Sequence, residues 1–132
     1  MDIQKILTAI KPSVMTWTTP PSGTYTPTLS NGTNVSASAA YECMYFRIGN
    51  LVQVSGVVGI DPTATGACGL GISLPISTTF AAQINCGGII AQTNGDVGVI
   101  IGNTTLHRAD ASIIASNASS LTYRFTLTYR VL

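Results

Sequence analysis

The side chains that could do chemistry are few in this chain of 132 residues. Its single histidine, His107, is followed by Arg108 and, three positions on, by Asp110. Catalysis by such a histidine needs a carboxylate that orients it and a nucleophile beside it. Asp110 follows His107 too closely along a strand for that role. The stretch 71–75 comes nearest to a Gly-x-Ser-x-Gly nucleophile elbow but ends in Pro75. We therefore predict no enzyme, and a solvated or interface turn is the simpler interpretation of His107 and Arg108.

The carboxylates and cysteines are scattered along the chain. Paired carboxylates would favour glycoside hydrolysis and a Cys-x-x-Cys pair would favour zinc, but neither pattern occurs. An odd number of cysteines with no recognisable signal peptide predicts free thiols in a reducing compartment. We therefore expect no cofactor and no metal. The acids are Asp2, Glu42, Asp61, Asp96 and Asp110, and the cysteines are Cys43, Cys68 and Cys86.

The composition is unusually poor in charge. Charged residues make up 8% of the chain and the formal net charge is +1, whereas about a quarter of residues are charged in most domains. This balance argues against a nucleic-acid partner. No apolar run approaches the roughly 20 residues that span a bilayer, so we expect no membrane insertion. A surface with few charges repels its neighbours weakly, and we expect other subunits to cover much of it.

The last stretch, 121–132, organises the predicted fold. Its odd positions are apolar and its even positions are Thr or Arg up to residue 130, which predicts a β-strand with one apolar face. Burying one large apolar side chain contributes roughly 1.5–3 kcal/mol, so this face requires a second layer to cover it. The candidates for the core or for a subunit interface are Tyr123, Phe125, Leu127 and Tyr129.

Turn signals divide the rest of the chain into about eight strands in total, the pattern of an antiparallel β-sandwich of jelly-roll type. The turns are expected at Asn31-Gly32, Gly49-Asn50 and Asn94-Gly95. Residues 76–83 predict a loop with one turn of helix. The strands are expected at 25–29, 40–48, 51–60, 68–74, 84–93, 96–102 and 121–132, with one or two further strands in 105–115.

The N-terminal segment has a different pattern. Residues 1–11 predict a short helix that Asp2 can cap and Pro12 ends. The helix would pack on its own domain or dock on another protein as an anchor. Residues 12–27 are rich in Pro and Thr and predict an extended connector. We therefore assign 1–24 to an anchor segment with its linker and 25–132 to the β-sandwich domain. The candidate anchor residues, on one helical face, are Ile3, Ile6, Leu7 and Ile10.

Several motifs carry a family resemblance. They lie in 25–35 (Tyr-Thr-Pro-Thr-Leu at its start), 41–50, 52–56, 71–75 and 123–129. Together these stretches resemble a domain that recurs in tailed-bacteriophage virion proteins, often at the C-terminus of tail fibres. The resemblance implies a β-sandwich that assembles as a homotrimer on the virion surface, and it supplies no catalytic residues. No long fibre shaft precedes the domain here, which fits a capsid decoration or head fibre as well as a tail fibre.

These observations lead to one expected function and two alternatives. We expect a bacteriophage virion structural protein, a trimeric surface appendage whose N-terminus binds other virion proteins of the capsid or tail. The first alternative is a receptor-binding adhesin that recognises host surface glycan, for which exposed tyrosines could stack on sugar rings. The second is a small hydrolase. The candidate stacking residues are Tyr41, Tyr45, Tyr123 and Tyr129.

Overall fold

The structure, a computed structural model, describes residues 22–132. The predicted helix over 1–11, with its anchor residues Ile3, Ile6, Leu7 and Ile10, lies outside the described residues. Most of the predicted connector lies outside them as well. Within 22–132, no helix is long and apolar enough to cross a membrane.

The described part of the chain is all-β, as predicted, and contains no α-helix. A 3-10 turn forms at Gln83–Asn85, at the end of the stretch 76–83 for which one helical turn was predicted and within the start of the strand predicted from residue 84. The strands are β1 Ser22–Tyr25, β2 Leu29–Asn31, β3 Val35–Ala40, β4 Cys43–Ile48, β5 Leu51–Pro62, β6 Gly66–Ile72, β7 Cys86–Ala91, β8 Val97–Asn103, β9 Arg108–Ala115 and β10 Leu121–Arg130.

All ten strands belong to one antiparallel sheet with the order β1-β4-β5-β10-β7-β8-β9-β6-β2, and β3 pairs with β5 outside this path. The predicted C-terminal strand, β10, lies at the centre between β5 and β7. Phe125 pairs with Gly56 on one side and with Ile90 on the other. Two shorter strands share the far edge of β5, because β4 pairs with its first residues and β3 with its last.

The sheet curls, and the connection between β2 and β3 holds its two sides together. The Gly32 amide donates to the Gly69 carbonyl at 3.0 Å, and the Gly69 amide donates to the Thr33 carbonyl at 2.9 Å. Asn34, with φ at +58°, uses its amide side chain to bond both backbone groups of Ala64. Asparagine tolerates this left-handed conformation better than most residues. The turn therefore joins the β6 side of the sheet to the β3 side.

The curl encloses one hydrophobic core. The period of two along each strand turns alternate side chains inward, and the inward residues of every strand from β3 to β10 contribute to it. The candidate core residues of β10 are all within it: Tyr123, Leu127 and Tyr129 are 1% exposed and Phe125 is 4% exposed.

Every predicted strand differs from the observed one in at least one limit, and two of the predictions also missed a strand. The strand predicted over 25–29 is divided into β1 and β2, because Pro27 has no amide to donate to a ladder and Thr28 instead donates to the Ser73 hydroxyl at 2.7 Å. The strand predicted over 40–48 begins at Cys43, and β3 before it was not predicted. β1 starts at Ser22, so the sheet also includes positions that the sequence assigned to the linker.

Gly56 of β5 leaves room that another strand fills. A Cβ atom at this position would overlap the thiol of Cys43 and would lie 3.3 Å from the Phe125 ring. The Cys43 side chain, 2% exposed, therefore packs where an inward side chain of β5 would otherwise lie.

Candidate functional site

The outward face of the sheet carries two exposed apolar clusters. Their side chains are 42–68% exposed, although large apolar residues on a solvated sheet face are usually replaced by polar ones. The β4 cluster consists of Met44, Phe46, Ile48 and Leu51. The β7–β8 cluster consists of Ile89, Val97, Val99 and Ile101.

A polar strip separates the two clusters. One row across the sheet runs through Met44, Ser55, Thr126, Ile89 and Val99, each opposite the next. Neighbouring strands lie roughly 4.8 Å apart, so the clusters are separated by roughly 14 Å. The outward face of β10 supplies most of the strip with its Thr and Arg residues. From β4 to β8, the outward face is therefore first apolar, then polar and then apolar again.

The strip contains a shallow depression of about 520 Å3. Arg124 lines it together with Glu42, yet the two side chains form no ion pair with each other or with any other residue in 22–132. The walls are Met44 of one apolar cluster and Ile89 of the other. The depression thus has one cation and one anion whose charges are left uncompensated within the described chain.

A second concave site, the His107 pocket, lies elsewhere on the molecule and is more polar. Its volume is about 440 Å3. Three segments that are distant in sequence form it: the start of β2, the loop after β6 and the turn before β9. The lining residues are Thr28, Ser30, Ser73, Leu74, Ser77, Thr78, Leu106, His107 and Arg108.

His107 is held in the pocket wall by its neighbours. Its φ is +52°, which is uncommon for a residue other than glycine and often marks ligand sites. The His107 amide donates to the Asn103 carbonyl at 2.8 Å, and the Phe80 amide donates to Nδ1 at 3.0 Å. Because Nδ1 accepts, the imidazole proton is on Nε2. That N–H has no hydrogen-bond acceptor among residues 22–132.

Arg108 is oriented by an acid and by a glycine. Its Nε donates to Asp110 at 2.8 Å, and the other oxygen of Asp110 accepts from the Asn103 side chain at 2.7 Å. A Cβ atom at Gly71 would overlap the guanidinium, so the missing side chain lets Arg108 lie against β6. The Nη groups of Arg108 have no acceptor within the described chain, and they remain able to donate to a ligand.

The four tyrosines proposed from the sequence as a sugar-stacking platform lie in different environments. Tyr123 and Tyr129 are buried in the core and cannot form a stacking platform for a sugar. The Tyr123 hydroxyl donates to Asp96 at 3.3 Å, and the Tyr129 hydroxyl bonds Ile76. Tyr41 is exposed and Tyr45 is half-buried against Tyr25. The aromatic platform proposed from the sequence is therefore not formed.

The described cysteines are free and buried, in line with the sequence prediction of free thiols. Burial raises the pKa of all three thiols, to about 12 for Cys86. A thiol with a raised pKa is a poor nucleophile and a poor metal ligand at neutral pH. Residues 22–132 contain no cluster of three or more His, Cys, Asp or Glu side chains that could hold a metal ion.

Sequence reasoning missed both surfaces. On β4 and β8, apolar residues stand at both odd and even positions, so the alternation alone does not say which side faces outward. The His107 pocket was missed because its three segments meet only in the folded chain. The one signal that could have found the pocket is Gly71 opposite Asp110. It is not local in sequence, because it is visible only once β6 and β9 are known to pair.

Comparison of the chain with models of known protein families, with characterised proteins and with solved structures finds no match.

Proposed function

We propose that this protein is a bacteriophage virion structural protein, a homotrimeric surface appendage attached to capsid or tail proteins through its N-terminus. The observation that carries the proposal is the outward sheet face, with its two separate apolar clusters. Such a face is poorly suited to water and well suited to burial between subunits.

The arrangement of the clusters favours a ring over a two-fold dimer. Two different clusters about 14 Å apart on one face can pair head to tail, the β4 cluster of one copy packing on the β7–β8 cluster of the next. A heterologous contact of this kind forms a closed ring when the rotation allows it. We infer a ring of three from the resemblance to trimeric virion domains.

The charges in the depression fit the same contact. Glu42 and Arg124 are not paired with each other although both line it. A neighbouring copy packed over the strip would bring opposite charges to them, and charge complementarity of this kind sets the register of an interface.

The arrangement of the sheet in layers is also part of the proposal. We infer that the curled sheet is a two-layered β-sandwich of jelly-roll type, with β10 and its neighbours in one layer and β6 and β9 in the other. The bond between the turn at 32–34 and Gly69 of β6 supports an enclosed, two-layered arrangement.

Two measurements test the proposal. The mass of the purified chain in solution should be that of three copies, and the protein should be found in purified phage particles at sites of three-fold symmetry. A stable monomer would contradict the trimer. Removal of residues 1–12 should leave the trimer intact and abolish incorporation into particles, and unchanged incorporation would rule out the N-terminal anchor.

The alternative, an adhesin that recognises host surface glycan, is favoured by one observation, the polar His107 pocket. Its hydroxyls and N–H donors match the hydroxyl groups of a sugar. Binding of the purified protein to host cells that is lost when their surface glycan is removed would support this function. Equal binding to cells with and without the glycan would exclude it.

A further inference from the structure

We propose that the His107 pocket binds an acidic saccharide, with the sugar carboxylate on Arg108 and the ring hydroxyls on His107 and the surrounding serines and threonines. The inference rests on the alternative function above and gives that function a site and a ligand class.

The pocket is lined by residues with unused hydrogen-bond donors. The Nε2–H of His107 and the Nη groups of Arg108 have no acceptor among the described residues, and both side chains line the same cavity. A guanidinium offers two parallel N–H donors that match the two oxygens of a carboxylate. The adjacent hydroxyls of Ser30 and Ser77 can both donate and accept, as sugar hydroxyls require.

The charges around the pocket favour a ligand with one negative charge over one with two. Arg108 is 27% exposed in its side chain and already forms an ion pair with Asp110, so its positive charge is partly offset. Beside Asp110, a phosphate dianion would leave two negative charges uncompensated and a carboxylate would leave one, so the carboxylate is repelled less. A carboxylate carries one charge, and the remaining polar groups of the pocket then bind neutral hydroxyls.

The size and shape of the pocket fit a small ligand. Small-molecule sites have volumes of about 300–1,000 Å3, and this pocket measures about 440 Å3. Two leucines, Leu74 and Leu106, give it apolar surface for the C–H face of a sugar ring.

The walls are fixed before any ligand binds, which lowers the entropy cost of binding. The Thr78 hydroxyl donates to the Arg130 carbonyl at 3.2 Å and accepts from the Leu132 amide at 2.9 Å. Tyr129 bonds Ile76 of the same loop. The Asn103 carbonyl holds the left-handed backbone of His107, and the Phe80 amide holds its imidazole ring.

An NMR titration of the full-length protein tests the proposal, with glucuronate, galacturonate and N-acetylneuraminate as probes. We expect saturable binding that shifts the amide signals of Ser77, Leu106 and Arg108. Glucose and the methyl ester of glucuronate, which lack the charge, should bind at least about tenfold more weakly, and acetate, which lacks the hydroxyls, should also bind more weakly.

Two variants assign the binding to named groups. Arg108→Lys keeps the charge but loses the paired donors, and it should weaken glucuronate binding at least about tenfold. His107→Asn removes the imidazole donor while asparagine tolerates the left-handed backbone, and it should weaken binding less. Arg47→Lys makes the same change at an arginine that, among residues 22–132, bonds only the Gly49 carbonyl, and it should bind like the wild type.

The outcomes separate the pocket from the adhesin function. No saturable binding of any acidic sugar, equal binding of acetate or glucose, or unchanged binding by Arg108→Lys would each overturn the pocket assignment. Sugar binding by a protein that does not bind host cells would leave the pocket in place and exclude the adhesin. Cell binding that Arg108→Lys leaves unchanged would place the receptor site elsewhere.

Discussion

The phenol of Tyr129 bonds the backbone of Ile76 in both directions. Its hydroxyl donates to the Ile76 carbonyl at 2.8 Å and accepts from the Ile76 amide at 3.0 Å. The ring also contacts Phe80 edge-on, with centroids 6.1 Å apart. One side chain of the central strand thus holds the loop that forms a wall of the His107 pocket.

We expect Tyr129→Phe to lower the free energy of unfolding by about 1–3 kcal/mol, because both backbone groups of the partly buried Ile76 lose their partner. The measurement is chemical denaturation. Tyr45→Phe is the matched control, since the hydroxyl of Tyr45 has no hydrogen bond within residues 22–132, and we expect it to change stability by less than about 0.5 kcal/mol. Equal effects of the two substitutions would show that the bond to Ile76 does not stabilise the fold.

We expect Gly56→Ala to destabilise the protein by about 1–3 kcal/mol through overpacking against the Cys43 thiol. Gly87→Ala is its control, because a Cβ atom there meets nothing within 4 Å, and it should be neutral or slightly stabilising.

A double-mutant cycle tests whether the Cys43 thiol is the obstacle to a side chain at position 56. If the thiol is the obstacle, Cys43→Ala combined with Gly56→Ala should be less destabilising than the sum of the single changes, by about 0.5–2 kcal/mol. Additive effects would mean that the thiol is not the obstacle, since the Cys43 Cβ atom, 2.7 Å from the added Cβ atom, remains in the double variant.

Stability should fall at alkaline pH. Burial raises the pKa of Cys86, Tyr123 and Tyr129 to about 12, while their ordinary values are 9.0 for cysteine and 10.0 for tyrosine. In the unfolded chain these groups lose protons first, so unfolding releases protons. The free energy of unfolding should be constant below pH 9 as far as these groups are concerned and should decrease as the pH rises toward 12. Denaturation at a series of pH values measures this slope, and a flat profile would contradict it.

Stability should also fall in acid, through Asp96. Hydrogen bonds, first from Ser116 and then from Asn94 and Tyr123, hold the pKa of Asp96 below its ordinary value of 3.8. The folded state therefore binds this proton less readily than the unfolded state, and the contribution is present above pH 3.8 and is lost as the pH falls through the folded-state pKa. Asp96→Asn should remove this part of the acid slope. A wild-type slope retained in the variant would assign it to other carboxylates.

Lysine on the outward face should break the proposed assembly. We expect Ile89→Lys and Val99→Lys to convert the oligomer to monomer with little effect on folding, since both side chains are about 60% exposed in one chain and a buried charge at an interface is costly. Ile84→Lys is the control, because Ile84 is 91% exposed and belongs to neither cluster. Light scattering of each purified variant gives the mass, and an unchanged mass for Val99→Lys would mean that this face is not the subunit contact.

Local chemistry determined part of the structure from the sequence alone. The alternation in 121–132 predicted β10 and its inward residues, because a strand turns successive side chains to opposite faces. The turns at Gly49 and Gly95 were predicted because glycine readily adopts positive φ, and their φ values are +58° and +100°.

The tertiary structure decided what depends on distant partners. Strand order cannot be read from local pattern, so the position of β10 between β5 and β7 was not predicted, nor was the division of the strand at Pro27. On β4 and β8 both faces are apolar, and only the curl of the sheet decides which one is buried. The His107 pocket joins residues far apart in the chain, and its chemistry exists only where β2, the loop after β6 and the turn before β9 meet, because hydrogen bonds between those segments hold them together.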